Sequence, residues 1–198
     1  MIEFEEAVEM LDGTSIEKAV RNMHAFFCSV EESITPFSEK EGVSCPKGCG
    51  TCCEKFLPDI TKLESLYLAA YISFSENKDE LISRLGNAVE QKEGPCPLYD
   101  EKNEKHCMCY EARPLICRLF AQSCFPGKNG EKKFSHCHLN TDFKGPDKVE
   151  GDNVPIMGTF GQMMLNIEEN DSMTEFLPGR VLKDIELIEF YKKLRSKN

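Results

Sequence analysis

Apolar residues return every three or four positions between residues 16 and 34, which is the spacing of one face of a helix. Thr14 stands just before this stretch and Glu17 follows three residues later, in the order of a capping box that begins a helix. The pattern therefore predicts an amphipathic helix to about residue 34, with a short helix before it over residues 2–11. Residues 36–43 are expected to be a linker.

A second capping box, formed by Thr61 and Glu64, precedes the next apolar pattern, which predicts a helix to Phe74. A third helix is expected to follow and to end at residues 94–95, which are Gly and Pro. Its predicted inward side chains are Leu81, Ile82, Leu85 and Val89.

The C-terminal part carries two further apolar stripes, and Pro178 is expected to open the second helix. The first stripe consists of Ile156, Phe160, Met163, Met164 and Ile167. The second consists of Leu182, Ile185, Ile188, Tyr191 and Leu194. Because few segments alternate as strands do, the predicted fold is mainly α, a single small irregular helical domain over residues 1–198. Its cysteine-rich loops are expected to be organised around a metal centre.

The middle of the chain begins with the run C-P-K-G-C-G-T-C-C, which places Cys45, Cys49, Cys52 and Cys53 within nine residues. Neighbouring cysteines are poor disulfide partners, so a metal explains the crowding better. Thiolates suit zinc, Cu(I) or iron–sulfur clusters, and the two glycines let the backbone turn sharply. The adjacent pair indicates either a polynuclear centre or one ligand beside a thiol with another role.

A second cysteine region spans residues 96–120, where Cys96 and Cys107 are expected on the two arms of a hairpin-like excursion. Pro114 is typical of a first helical turn, which would place Cys117 where amide dipoles favour a thiolate. The flanking Arg113 and Arg118 have two interpretations. They offset repulsion between thiolates, or they form ordinary salt bridges in this acidic chain.

Five further cysteine or histidine positions have simpler interpretations. His24 and Cys28 lie one helical turn apart, but Cys28 is expected to be a small core residue with His24 beside it. His136, Cys137 and His138 are consecutive, and successive residues of an extended segment point to opposite faces. Cys137 is therefore the expected ligand of the three, and both histidines are expected at the surface.

Composition narrows the possible partners and the compartment. The net charge of −10 disfavours nucleic acids and anionic membranes as partners, and leaves a basic protein surface as a suitable one. No apolar run is long enough to span a bilayer, and the acidic N-terminus is unlike a signal peptide. A cytoplasmic protein with reduced cysteines that hold metal is the expectation.

The two cysteine regions together resemble a bacterial and archaeal family of zinc- or iron-chelating proteins, the YkgJ-like CxxCxxCC family. The resemblance covers about residues 45–140: the run at 45–53, C-P-L-Y at 96–99, C-x-x-Y-E-A-R-P-L-I-C-R-L-F at 107–120, and Cys137. The resemblance implies eight metal ligands, which are Cys45, Cys49, Cys52, Cys53, Cys96, Cys107, Cys117 and Cys137. Cys28, Cys109 and Cys124 lie outside the family pattern and leave the ligand count open.

Eight thiolates would serve two four-ligand sites or one polynuclear cluster. The predicted function is metal binding by an iron–sulfur cluster or a zinc centre, with iron–sulfur slightly favoured by the adjacent pair. The alternative is an enzyme, because the flagellin lysine N-methylases, which use S-adenosylmethionine, carry a similar cysteine module. A redox enzyme that uses the cluster is a further alternative. Its acid or base would come from Glu64, Tyr110 or Glu111, although each of these suits loop capping or hydrogen bonding better.

Overall fold

The computed structural model of the protein describes residues 4–46, 49–151, 154–167 and 173–195. The elements in chain order are α1 (Phe4–Glu9), α2 (Ser15–Glu41), α3 (Thr51–Lys55), β1 (Asp59–Ile60), α4 (Lys62–Ser73), α5 (Lys78–Asn87), a 3-10 turn (Tyr110–Ala112), α6 (Leu115–Leu119), β2 (Cys124–Pro126), β3 (Lys132–Phe134), α7 (Met157–Ile167), β4 (Glu175–Phe176) and α8 (Leu177–Arg195). The predicted mainly α class is confirmed. The helices predicted from the apolar patterns are present, although α2 and α5 end about seven residues from their predicted ends.

The start of α2 follows from side-chain capping. The Thr14 hydroxyl accepts a hydrogen bond from the Glu17 amide at 3.2 Å, and the Glu17 carboxylate accepts one from the Gly13 amide at 3.0 Å. The first bond satisfies an amide that a helix start would otherwise leave without a partner, and the second closes the turn before the helix. The helix ends at Gly42, whose positive φ of 68° suits glycine and whose amide bonds the Ser38 carbonyl.

The predicted end of this helix near residue 34 is wrong, because α2 continues through Pro36 to Glu41. Proline removes one backbone donor from the helix and disfavours its interior. The next residue, Phe37, compensates because it is only 5% exposed and packs against Phe134. A tertiary contact therefore overrides the local signal that residues 36–43 form a linker.

The long α4 helix lies at the centre of the fold, where it packs against α2 on one side and α8 on the other. Its capping box is complete, as predicted, with reciprocal hydrogen bonds between Thr61 and Glu64. Apolar residues occur all round this helix, since both of its faces are covered. The buried core side chains of α4 include Leu66, Leu68, Ala69, Ala70 and Ile72.

Two short antiparallel pairs tie distant segments together. Strands β1 and β4 pair with Asp59 opposite Phe176, and β2 and β3 pair with Cys124 opposite Phe134. A second, smaller core forms beside β2 and β3 at the end of α2. Its buried residues are Phe37, Val43, Cys124, Phe134 and Val149.

Several predicted inward positions are solvent-exposed instead. Val89 is 42% exposed because α5 ends at Asn87, two residues before it. Met163 on α7 and Leu194 on α8 are 42% and 47% exposed, since each lies at the edge of its apolar stripe. Within the described ranges, no helix is both long enough and apolar enough to cross a membrane.

Candidate metal centre

Cysteines from separate parts of the chain line one cavity of about 540 Å³. They come from the loop that leads into α3, from the excursion between α5 and the 3-10 turn, from α6 and from the segment after β3. The cysteines that line it are Cys45, Cys49, Cys52, Cys53, Cys96, Cys107, Cys109, Cys117 and Cys137. This set contains all eight cysteines that the sequence predicts as ligands, together with Cys109.

The first cysteine stretch folds into the short helix α3, which starts after Gly50 and carries Cys52 and Cys53. The two sulfur atoms are 4.0 Å apart. The Cys49 sulfur accepts a hydrogen bond from the Asn140 side-chain amide at 3.2 Å, so a residue far along the chain also reaches this stretch.

The second region forms the expected hairpin-like excursion. Tyr99 and Cys107 pair as an antiparallel bridge, and the Met108 amide donates to the Leu98 carbonyl at 3.0 Å. The excursion joins the first stretch directly, because the Cys96 amide donates to the Cys53 carbonyl at 2.8 Å. Backbone hydrogen bonds therefore hold the two cysteine regions against each other.

Gly50 allows this close approach of the two regions. A Cβ atom at Gly50 would lie 2.6 Å from Cε2 of Tyr99 and 3.1 Å from Cβ of His106. Real Cβ atoms are not found at the first distance, so a larger residue would push the excursion away. Glycine is thus required here by packing rather than by a left-handed backbone.

Cys45, Cys49, Cys52 and Cys137 form one electrostatic group, because the charges of the last three act on Cys45. Partial loss of water contact raises the pKa of Cys45 to about 11, and repulsion from Cys49, Cys52 and Cys137 adds to this rise. The Cys52 pKa is lowered because its sulfur accepts a hydrogen bond from the Cys53 thiol, and the Cys53 pKa is raised by the same bond. Because the two adjacent sulfurs share one proton, Cys52 is the thiol that most easily becomes a thiolate.

A second electrostatic group consists of Cys96, Cys107 and Cys117, with Cys52. Burial raises the pKa of Cys96 to about 12 and raises that of Cys117 well above its ordinary value. Cys107 and Cys52 add like-charge repulsion at both positions. Cys52 therefore belongs to both groups.

The expectation that the α6 terminus makes Cys117 a thiolate is wrong for the protein alone. Pro114 does precede α6 and Cys117 does lie in its first turns. The helix has only five residues, and burial of the thiol outweighs the effect of its amide dipoles. A nearby cation would be needed to hold this sulfur as a thiolate.

Arg113 and Arg118 line the cavity and form salt bridges. Arg118 is 4% exposed, and its guanidinium lies 2.7 Å from Glu31, while that of Arg113 lies 3.1 Å from the same carboxylate. Arg118 also donates to the carbonyl of Glu111. The salt-bridge interpretation is confirmed, and two guanidinium groups on one carboxylate still leave surplus positive charge beside the thiols.

The three candidate acids or bases have structural partners. The Glu64 carboxylate is buried and accepts a hydrogen bond from the Leu115 amide at 2.8 Å. Glu111 pairs with Lys105 at 2.6 Å, and the ammonium of Lys105 also lies over the ring of Tyr110. Of the three, only Tyr110 lines the cavity.

The cysteines outside the family pattern occupy different environments. Cys109 is buried and lines the cavity, whereas Cys124 is buried in the small core beside β3. The expectation that Cys28 is a core residue is wrong, because it is exposed on α2 with its sulfur 3.6 Å from His24. His136 and His138 are exposed, as expected.

The sequence analysis missed His106, which lines the cavity next to Cys107. Both of its ring nitrogens are buried, and neither has a hydrogen-bond partner. The signal available in the sequence was its position in the run H-C-M-C, where a metal-binding side chain stands directly beside a predicted ligand.

The side chains fit metal binding by their chemistry but do not form a completed coordination sphere. Within the residues that the structure describes, no three His, Cys, Asp or Glu side chains are already arranged to hold an ion. The donors are soft sulfurs gathered on one cavity, and thiolate sulfur is a ligand that suits both zinc and iron–sulfur clusters.

Two known proteins are similar to part of this chain. The chain is 38% identical over 78 residues to Uncharacterized protein MJ0661 of Methanocaldococcus jannaschii, covering 36% of this chain and 40% of that protein. It is 34% identical over 82 residues to Tectonic-2 of Mus musculus, covering 38% of this chain and 12% of that protein. The matched segment thus spans less than half of either relative. No solved structure matches.

A family model described as "CxxCxxCC: Putative zinc- or iron-chelating domain" matches residues 44–141. These bounds agree within one residue at each end with the segment of about 45–140 that carries the cysteine motifs. They also contain every cysteine that lines the cavity. Through residues 44–141, the chain belongs to the CxxCxxCC family.

Proposed function

We propose that this protein is a metal-binding protein whose centre is held by cysteine thiolates. The proposed ligands are Cys45, Cys49, Cys52, Cys53, Cys96, Cys107, Cys117 and Cys137. The observation that carries the proposal is that these residues, from four separate parts of the chain, line one cavity. Structural cysteines that serve only as small core residues have no reason to gather in this way.

Protonation of the thiols is expected to be coupled to metal binding. Most of these thiols have a raised pKa in the protein alone, because burial and mutual repulsion disfavour their thiolates. A bound cation reverses this balance, since it attracts the thiolates and releases their protons. The surplus positive charge of Arg113 and Arg118 beside Glu31 acts in the same direction.

Metal binding would also bring the thiols together into a coordination sphere. The thiols surround the cavity without converging on one point. Rotation of cysteine side chains about χ1 would draw them inward, so binding would order the loops that carry them. A chelator is therefore expected to loosen the middle of the chain more than the helices on either side.

The arrangement favours a polynuclear centre over one isolated ion. Cys52 belongs to both electrostatic groups of thiols and its sulfur is 4.0 Å from that of Cys53. A sulfur shared by two groups suits a bridging position better than a single tetrahedral site. We place an iron–sulfur cluster ahead of zinc on this ground.

The test is metal and acid-labile sulfide analysis, with a visible absorption spectrum, on protein purified without oxygen. Brown protein with iron and sulfide would establish a cluster, and colourless protein with stoichiometric zinc would establish a zinc centre. Protein that contains neither, and that takes up neither on reconstitution, would contradict the proposal.

Two matched serine variants locate the centre. Cys52→Ser is expected to lose most of the metal, because it removes the sulfur common to both groups. Cys28→Ser is expected to keep the wild-type metal content, because Cys28 is exposed on α2 and does not line the cavity. Equal metal content in the two variants would place the centre elsewhere.

The methyltransferase alternative remains a prediction from the resemblance to lysine N-methylases. Calorimetric titration of the metal-loaded protein with S-adenosylmethionine tests it directly. Binding in the micromolar range would support the methyltransferase alternative, whereas the absence of binding heat at several temperatures would exclude it.

A further inference from the structure

His106 has an unusual environment for a histidine. Both ring nitrogens are buried and lack a hydrogen-bond partner, although the side chain lines the cysteine cavity. One nitrogen of a neutral imidazole donates and the other accepts, so two polar atoms lose their contact with water. Leaving a buried polar atom without a partner destabilises a folded protein, and such atoms are rare.

The backbone around His106 holds the ring in place. Its φ of 52° lies in the left-handed region, which is uncommon for residues other than glycine. The carbonyl of His106 accepts a hydrogen bond from the Asp100 amide at 3.2 Å, and its ring lies 6.0 Å from that of Tyr99. The side chain also backs onto Gly50, between two of the proposed ligands in sequence. The excursion thus presents the imidazole at the cavity wall.

The other three histidines either have side-chain contacts away from the cavity or are exposed to solvent. His24 contacts the Tyr67 hydroxyl and Cys28, away from the cavity. His136 and His138 are exposed and their rings contact Phe134 and Phe120, respectively. Only His106 therefore combines buried, unpartnered nitrogens with a place beside the thiols.

We infer that His106 supplies an imidazole nitrogen to the metal centre, so that the ligand set is mixed cysteine and histidine. A metal ion would satisfy one of the two orphaned nitrogens with a bond that no side chain provides. The other nitrogen would then carry the proton. The inference rests on the proposed metal-binding function and adds a ligand that the cysteine pattern does not contain.

Cobalt(II) provides a probe of this ligand set, because its visible bands depend on the donor atoms. Reduced, metal-free wild-type protein is titrated with cobalt(II), and the variants His106→Asn and His138→Asn are titrated alongside. Asparagine tolerates the left-handed backbone of residue 106, so the fold should persist, which circular dichroism checks. His138 is the matched control, since it also adjoins a proposed ligand but is exposed outside the cavity.

The expected result is a shift of the cobalt bands to longer wavelength in His106→Asn, as a nitrogen donor is lost, with an affinity about tenfold or more weaker. His138→Asn should match the wild type. In a second variant, His106→Gly, added imidazole should restore the wild-type bands, because glycine accepts the backbone conformation and leaves room for the free ring.

The outcomes separate the inference from the proposed function. If the wild type binds cobalt and His106→Asn shows unchanged bands and affinity, His106 is not a ligand and the thiolate centre stands. A further outcome is a His106→Gly variant that folds and has cobalt bands that differ from those of the wild type. If added imidazole then fails to restore the wild-type bands, the role of His106 is structural and it is not a ligand. If the wild type binds neither cobalt, zinc nor iron, the metal centre and this inference fall together.

Discussion

At the scale of single residues, Gly50 shows how tightly the two cysteine regions pack. The position that a Cβ atom would occupy is already filled by the Tyr99 ring and the Cβ of His106. We expect Gly50→Ala to lower the free energy of unfolding by about 1–3 kcal/mol, because the excursion must shift to make room. Urea denaturation followed by circular dichroism measures the change.

Gly86→Ala is the control for that substitution. Gly86 lies within α5 and nothing stands within 4 Å of the added Cβ. Alanine is the better helix former, so stability should rise by about 0.5–1 kcal/mol. A loss of stability of the same size in both variants would show that the close packing at Gly50 does not contribute to the free energy of unfolding.

His24 gives the protein a predicted dependence on pH that is separate from the thiols. Burial, with a smaller contribution from Arg118, holds its pKa below the ordinary value. The unfolded chain therefore binds a proton near pH 6.5, where the folded protein still resists it. The stabilising contribution is present above that pH and is lost as the pH falls through it.

The measurement compares urea midpoints at pH 7.5 and pH 5.5. The loss of stability on acidification should be smaller in His24→Asn than in the wild type. Tyr67→Phe should keep the wild-type loss, because it removes the hydroxyl contact at 3.0 Å but leaves the ring buried. An unchanged pH dependence in His24→Asn would assign the effect to other groups.

At the scale of elements, Glu64 connects α4 to α6, the helix that carries Cys117. Its carboxylate accepts hydrogen bonds from the amides of Thr61 at 2.9 Å and Leu115 at 2.8 Å. Glu64→Gln exchanges one acceptor oxygen for an NH₂ group that faces an N–H donor. We expect a loss of about 1–3 kcal/mol in the free energy of unfolding, measured by urea denaturation.

Glu111→Gln is the matched carboxylate control. Its side chain is 65% exposed and pairs only with the exposed Lys105 among the salt bridges described. Exposed pairs contribute little, so the change should stay within about 0.5 kcal/mol. Two equal effects would mean that the contact between α4 and α6 does not depend on Glu64.

At the scale of the whole molecule, one core joins the helices to the cysteine module. The buried cluster that includes Ile188 of α8 also includes Leu98, Cys109 and Leu119, which lie inside the family segment. Ile188 is fully buried, so Ile188→Ala should cost about 2–5 kcal/mol. The loss should appear as one cooperative transition, since the module and the helices share side-chain contacts.

The comparison is with Leu187→Ala on the same helix. Leu187 is 38% exposed, and its truncation should change stability by about 0.5 kcal/mol. Fluorescence and circular dichroism melts should coincide for both variants. A separate transition for the module in Ile188→Ala would contradict a shared core.

Taken by itself, the sequence determined the helices and the cysteine module. Helical periodicity and capping residues act within one or two turns, which is why the start of α2 and the capping box of α4 were predictable. The order and spacing of the cysteines identified the family segment for the same reason, since both are properties of the chain rather than of its folding.

Only the tertiary structure decided which residues are buried together. The helix continues past Pro36 because Phe37 meets Phe134, almost a hundred positions away. Burial, not the α6 terminus, sets the proton affinity of Cys117, and the histidine beside the thiols is His106. Each outcome depends on contacts between distant segments, which local spacing does not encode, because burial free energy arises only when those segments meet.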